Sequence, residues 1–245
     1  MKKHFYKTIV LILMLVHPLF LFGQQWMSMR FEVFGGVGTS NYYGDIGGGT
    51  SGNSLSLGDT HPSFTLGARY MILEKVALKT SFIYGSVIGS DEGSKNADRN
   101  YSFSTSLFEP SIQGEYYFLS QEKRRGHSIY NRHGLISNFI GFEAYGFAGL
   151  GTAFFKVTPK GDLKNVFVDN FGHTAFVLPI GIGCKVTLSN RSSIGLELGR
   201  RILSSDYIDG YTSQFSKHND VYYFGSISYV YRIKTSRTTG WPIFF

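Results

Sequence analysis

The stretch Asp220–Ile233, DVYYFGSISYVYRI, alternates with a period of two from end to end. One parity, Val221, Tyr223, Gly225, Ile227, Tyr229, Tyr231 and Ile233, is mostly apolar, with aromatics toward both ends. The other, Tyr222, Phe224, Ser226, Ser228, Val230 and Arg232, is mixed. Such alternation marks a half-buried strand. Its length also covers the roughly 9–11 residues that a tilted strand needs to cross a bilayer. A strand of this kind belongs either to the edge of a soluble sandwich or to the wall of a membrane barrel, and the rest of the chain decides between them.

Seven further runs alternate in the same way. Arg30–Thr39 sets Phe31, Val33 and Val37 against Arg30, Glu32 and Phe34; Ser63–Ile72 sets Phe64, Leu66, Ala68, Tyr70 and Ile72 against Ser63, Thr65, Gly67 and Arg69. Lys75–Ile88, Tyr101–Phe118, Asn138–Lys156, His173–Leu188 and Ser192–Leu203 continue the pattern. No mature segment shows a helical period. The connections alternate too. Those after the first, third, fifth and seventh strands are long and polar, while Leu73-Glu74 and Ser189–Arg191 are tight turns; the segment Leu119–Ser137 is the exception. Short periplasmic turns alternating with longer outer loops are the pattern of an outer-membrane barrel. A soluble sandwich has no reason to alternate like this. The expected fold is therefore all-β, an eight-stranded antiparallel up-and-down transmembrane β-barrel of OmpA/OmpX-like size.

The N-terminus agrees with export. MKKHFYK precedes the apolar Thr8–Val16, and Gly23 offers a small residue for cleavage. This reads as a signal peptide over residues 1–23, followed by a barrel over 24–234 and a periplasmic tail over 235–245. Removing the three lysines of the leader lowers the formal charge from +7 to +4, too modest an excess to argue for nucleic acid. Thirty glycines, sixteen tyrosines and twenty-two phenylalanines against six prolines suit a barrel wall and its aromatic belts. A single cysteine, Cys184, excludes an internal disulfide framework; on its apolar parity it reads as an inert packed thiol.

With the apolar parity given to lipid, Glu32, Arg69, Lys79, Glu109, Glu115, Glu143, Lys185, Glu197, Arg201 and Arg232 fall inside. Five acids and five bases can neutralise one another there. Because a barrel of eight strands is just wide enough for side chains to fill, and an unpaired buried charge costs several kcal/mol, the expectation is a salt-bridged plug. The rival is a gated ion path. Pro110 and Pro179 sit in mid-strand, where the missing N–H leaves a ladder acceptor unpaired, so bulges are expected at both.

Chemistry is sparse. The glycine-rich GDIGGGTSGNSLSLGD lacks the Lys-Ser/Thr ending of a phosphate loop. His61, His173 and His218, with Asp59, Asp206, Asp209 and Asp220, fall at outer strand ends and admit a rim enzyme, but no nucleophile motif accompanies them. No catalytic residue, cofactor, metal, nucleic acid or small-molecule substrate is expected. On the periplasmic side Lys123, Arg124, Arg125 and Arg132 crowd one long connection, and the tail brings Trp241, Phe244 and Phe245. Both read as solvated or interfacial segments, or as a dock for a periplasmic partner.

The motifs NYYGDI (41–46), HPSFTLGARY (61–70), ALKTSFIYGSVIGSD (77–91), RNYSF (99–103), LPIGIG (178–183), GLELGRRILSSDYIDG (195–210) and NDVYYFGSISYVYRI (219–233), in this order and spacing, resemble the PorG-like family. These are small outer-membrane barrels of the type IX secretion system in Bacteroidota. The resemblance implies a non-catalytic component or anchor of that machinery, associated on its periplasmic side with PorK/PorN-like ring proteins. The alternatives are a barrel whose outer loops bind a ligand or surface, and a rim-located enzyme.

Overall fold

The computed structural model describes residues 29–43, 46, 60–92, 97–120, 141–167, 172–189, 191–205, 207–211, 221–236, 239 and 241–243. Its eight strands are β1 (Phe31–Tyr43), β2 (His61–Leu73), β3 (Val76–Ser90), β4 (Tyr101–Leu119), β5 (Gly141–Gly161), β6 (Thr174–Thr187), β7 (Ser192–Leu203) and β8 (Val221–Ile233). Every neighbouring pair is antiparallel, and the sheet closes in chain order with β8 against β1. The closing pair runs from Phe31 opposite Ile233 to Tyr43 opposite Val221. Closure leaves no strand edge unpaired, which the bilayer core requires.

The outer wall is apolar. Tyr84, Phe108, Phe154, Phe176 and Tyr223 ring its outer end, and Tyr70, Tyr116, Phe118, Phe142, Tyr229 and Tyr231 its periplasmic end. Between them stand Leu66, Phe82, Ile112, Leu150, Ile182, Leu198 and Ile227, all exposed. Phe108 and Phe118 are ten positions apart on β4. That separation is about 33 Å along a strand and about 25 Å once tilted, the height of the lipid-facing band of an outer-membrane barrel. The protein is an outer-membrane β-barrel, and both ends of its wall, Phe31 and Ile233, lie at the rim of the short β2–β3 and β6–β7 turns, the periplasmic rim by the short-turn rule for such barrels.

Three features of the wall differ from expectation. Several strands run further outward: β1 reaches Tyr43, and β5 continues through Val157–Gly161 instead of turning into loop. No bulge lies at Pro110 or Pro179. Pairing of Pro110 with Phe82 and of Pro179 with Arg201 stays in register. On the β5 side the ladder skips instead, from Phe108–Phe154 to Ser111–Gly151 and from Ala148–Ile180 to Gly151–Val177, without a shift. Each proline thus forfeits local pairing toward β5, and the pairs on either side hold the register. The register shifts that do occur are at Met71/Leu73 and Tyr117/Leu119, at the periplasmic ends of β2 and β4. There the strands leave the barrel and an extra residue costs little pairing.

Inside, the barrel has two layers rather than one charged plug. The periplasmic half is charged. The outer half is an apolar core of Val87, Phe103, Leu107, Ala153, Phe155, Ala175, Val177 and Leu203, roofed by Ile46, Leu163 and Ile208 from the outer connections.

Candidate functional site

The charged layer takes one residue from each strand: Glu32, Arg69, Lys79, Glu115, Glu143, Lys185, Glu197 and Arg232, from β1 to β8 in turn. Side-chain alternation puts each of these positions on the inner parity of its strand. Four acids meet four bases, so the layer is neutral. Glu32 is held by Arg69 Nη1 at 2.9 Å, Lys185 Nζ at 3.0 Å and Arg232 Nε at 2.8 Å. Glu143 takes Lys185 at 3.0 Å and Arg232 at 3.3 Å. Arg69 donates through Nε and Nη2 to the two oxygens of Glu115, at 2.5 and 2.9 Å, a bidentate pair. Lys79 donates to both oxygens of Glu197 at 2.6 Å.

Aromatic side chains complete the layer. Tyr117 Oη donates to Glu115 at 2.9 Å and Tyr145 Oη to Glu197 at 2.7 Å. The Arg69 guanidinium lies 5.3 Å from the ring centres of both Phe34 and Tyr145, and Lys185 Nζ 4.9 Å from that of Tyr117, within cation–π range. These rings need room that a narrow barrel does not have, and glycine supplies it. Phe34 faces Gly67, Tyr145 faces Gly183, and Phe147 faces Gly181 across neighbouring strands. A Cβ on Gly183 would come within 2.5 Å of the Tyr145 ring.

Glu109 and Arg201 form a second pair above this layer, at 3.5 Å, with the Tyr222 hydroxyl donating to Glu109. The ten charged positions therefore share the lumen but divide into an eight-membered ring and a separate pair. The tyrosines Tyr117, Tyr145 and Tyr222 were missed from sequence, although Tyr117 and Tyr145 follow Glu115 and Glu143 by two, on the same parity. That spacing was the available signal.

The outer connections converge above the apolar core. Thr105 Oγ1 donates to the Ile208 carbonyl at 2.6 Å, and Tyr42 Oη to Asp209 at 2.7 Å. Asp209 also accepts from the Tyr211 backbone N–H at 2.9 Å, which gives this carboxylate a structural task at the rim. Arg99 donates to Asp91 at 2.8 Å and lies over the rings of Tyr101 and Tyr211. Partial burial pulls the Arg99 pKa down, but the hydrogen-bonded Asp91 carboxylate and Tyr211 outweigh it, and the net shift is upward. The guanidinium stays charged. His61 begins β2 and His173 precedes β6, its ring edge-on to Phe155. Among the described residues no group of His, Cys, Asp and Glu is placed to hold a metal.

On the periplasmic side the chain folds back after β8. Ser236 N–H donates to the Trp241 carbonyl at 2.9 Å and Ile243 N–H to that of Lys234 at 2.8 Å. Trp241 stands 75% exposed. Lys123, Arg124, Arg125, Arg132, Phe244 and Phe245, the leader 1–23, most of the glycine-rich loop, and Asp59, Asp206, His218 and Asp220 lie outside the described residues. Cys184 is half-buried on the outward parity of β6, so it is less enclosed than the packed thiol expected from sequence.

A family profile described as "Domain of unknown function (DUF6089)" matches residues 6–233. No curated protein matches the sequence. Among solved structures the chain is similar to Neisserial surface protein A, at 13% identity and a TM-score of 0.48, over 82% of this chain and 96% of that one. It is similar to the outer membrane protein OprG of Pseudomonas aeruginosa, at 12% identity and 0.45, over 84% and 96%. A further likeness, at 11% identity and 0.42 over 84% and 99%, is to Ail, the attachment invasion locus protein of Yersinia pestis, in complex with the heparin analogue sucrose octasulfate.

Proposed function

The chain belongs to the DUF6089 family, and we propose that it acts as a non-catalytic outer-membrane anchor of type IX protein secretion, docking a periplasmic ring complex through its periplasmic segments. The observation that carries this reading is the filled lumen. Charged side chains meet across the axis in the periplasmic half, and apolar side chains close the outer half. A barrel whose lumen is occupied by its own side chains works by its surfaces and by where it holds them. The periplasmic surface includes the folded-back tail with exposed Trp241 and Ile243. Lys123, Arg124, Arg125 and Arg132 belong to the sequence that joins the end of β4 at Leu119 to the start of β5 at Gly141. The secretion role itself is supported by the ordered resemblance to the PorG-like barrels, whose partners are the PorK/PorN-like ring proteins.

The test is site-specific photo-crosslinking from residues 123–133 and 235–245 in intact cells. Adducts with ring proteins, together with loss of cargo secretion when these segments are deleted from a barrel that still assembles, are the expected result. An absence of adducts with cargo still secreted sinks the reading.

A further inference from the structure

Arg200 interrupts the apolar outer wall. It occupies the outward parity of β7, opposite Ile180 of β6 and Tyr223 of β8, and is exposed. The charged side chains of the lumen all have ion-pair partners. Among the described residues no hydrogen bond or ion pair reaches the Arg200 guanidinium, and its neighbours on the wall are apolar or neutral. A cation on the lipid face is unfavourable at the bilayer midplane and tolerated near the interface. Arg200 stands at the level of Tyr223, in the outer aromatic ring.

Beside it the wall is hollow. Gly225 takes the outward position between Tyr223 and Ile227 without a side chain; a Cβ there would meet only Leu198 at 3.1 Å and Thr39 at 3.7 Å. An open groove of about 550 Å³ results, between Leu198 and Ile180 on one flank and Thr39 and Asn41 on the other, with Arg200 at its outer end. Its floor is apolar and lies in the acyl-chain region; its outer end offers a guanidinium, an amide and a hydroxyl at headgroup depth.

We propose that this groove binds a phosphate-bearing lipid of the outer leaflet. The headgroup phosphate sits on Arg200, whose planar fork matches phosphate oxygens, with Tyr223 next to it on β8 and Asn41 one strand further on β1. One acyl chain runs down over Gly225 between Leu198 and Thr39. A free anion would satisfy Arg200 alone and leave the floor uncovered, so the lipid is the occupant that fits both ends. This binding is independent of any secretion role.

Native mass spectrometry of the full-length protein in detergent tests it, with a bis-phosphorylated acylated glycolipid, the same lipid without phosphates, and inorganic phosphate as competitor. The wild type is expected to retain the phosphorylated lipid, and to bind the dephosphorylated one about tenfold more weakly, the loss of one charge-assisted contact. Arg200→Gln should weaken binding by about the same factor. Gly225→Leu should weaken it with the charge intact, and Lys75→Gln, in the periplasmic β2–β3 turn, should not. Heat-dependent gel mobility reports folding of each variant; if Gly225→Leu does not fold, Leu198→Trp crowds the groove from the other strand. Equal binding by wild type and Arg200→Gln overturns the site. Unchanged binding in the groove-filling variant, or displacement of the lipid by inorganic phosphate, overturns the lipid as its occupant.

Discussion

Lys79 and Glu197 stand on β3 and β7, four strands apart around a barrel of eight, yet Lys79 Nζ lies 2.6 Å from both carboxylate oxygens. Opposite walls of the barrel touch. Both residues are buried, so neither charge can turn to water if its partner is removed. Glu197→Gln leaves Lys79 with Glu115 at 3.8 Å as its remaining carboxylate. Breaking a buried pair from one side costs about 3–5 kcal/mol. The single variant should lose about that much stability, and Lys79→Met combined with Glu197→Gln should lose distinctly less, because the ring is again neutral. Urea unfolding in lipid bilayers, followed by tryptophan fluorescence, measures both; a double variant no more stable than the single one counts against the pairing.

The glycines of the inner parity act on the same ring through its aromatic members. Tyr145 can reach Glu197 only because Gly183 opposite it has no side chain. Gly183→Ala is expected to destabilise the barrel by about 1–3 kcal/mol through overpacking. Tyr145→Phe keeps the ring and removes a hydroxyl that donates to Glu197 at 2.7 Å and accepts from Arg69 Nη2 at 3.3 Å, a loss of about 1–3 kcal/mol because both partners are charged. The informative variant is Gly183→Ala with Tyr145→Ala. Its cost should fall below the sum of the two single changes, since the smaller residue at 145 vacates the space that the new methyl group needs. Full additivity in equilibrium unfolding contradicts the steric account.

Much of this was legible in the sequence because period-two alternation is a local signal. Ser192–Leu203 was readable to the residue, and the charged positions could be assigned to one face by parity alone. The outer half was not legible. Phe103, Leu107, Phe155 and Val177 lie on the inner parity, where the wall outside them carries serines, threonines and lysines beyond the aromatic ring. There the apolar side of the strand changes from lipid to lumen as the wall leaves the membrane. A rule that assigns apolar residues to lipid fails at that height. Ile46, Leu163 and Ile208 were hidden for another reason: each is an isolated apolar residue in a polar connection, and its burial depends on loops distant in sequence meeting over the barrel.

The two layers predict electrical silence. In planar bilayers the wild type should give no steady ohmic channel, because the charged ring and the apolar core above it block the axis in series. Lys79→Ala with Glu197→Ala thins only the first block. It should remain non-conducting while Phe103, Leu107, Phe155 and Val177 are in place. Single-channel recording decides the point, and discrete openings of the wild type would refute a filled lumen.

The prolines leave a mark on β5 that exchange measurements can see. The flanking register places Thr152 opposite Pro110 and Gly149 opposite Pro179, so both interruptions fall within five residues of one strand, on its two sides. Proline brings no N–H to the ladder, and the β5 carbonyls facing these positions lose their strand donors inside the membrane. Each lost hydrogen bond is worth about 1 kcal/mol, enough for local opening to favour this segment over the rest of the wall. Amides between Gly149 and Ala153 should therefore exchange faster than those at Tyr145–Phe147 on the same strand. Pro110→Val restores a donor on the β4 side and Pro179→Val one on the β6 side, and each should slow exchange locally without moving the register. Uniform protection along β5 in the wild type would mean that the gaps are closed by other groups, and the wall has no weak point there.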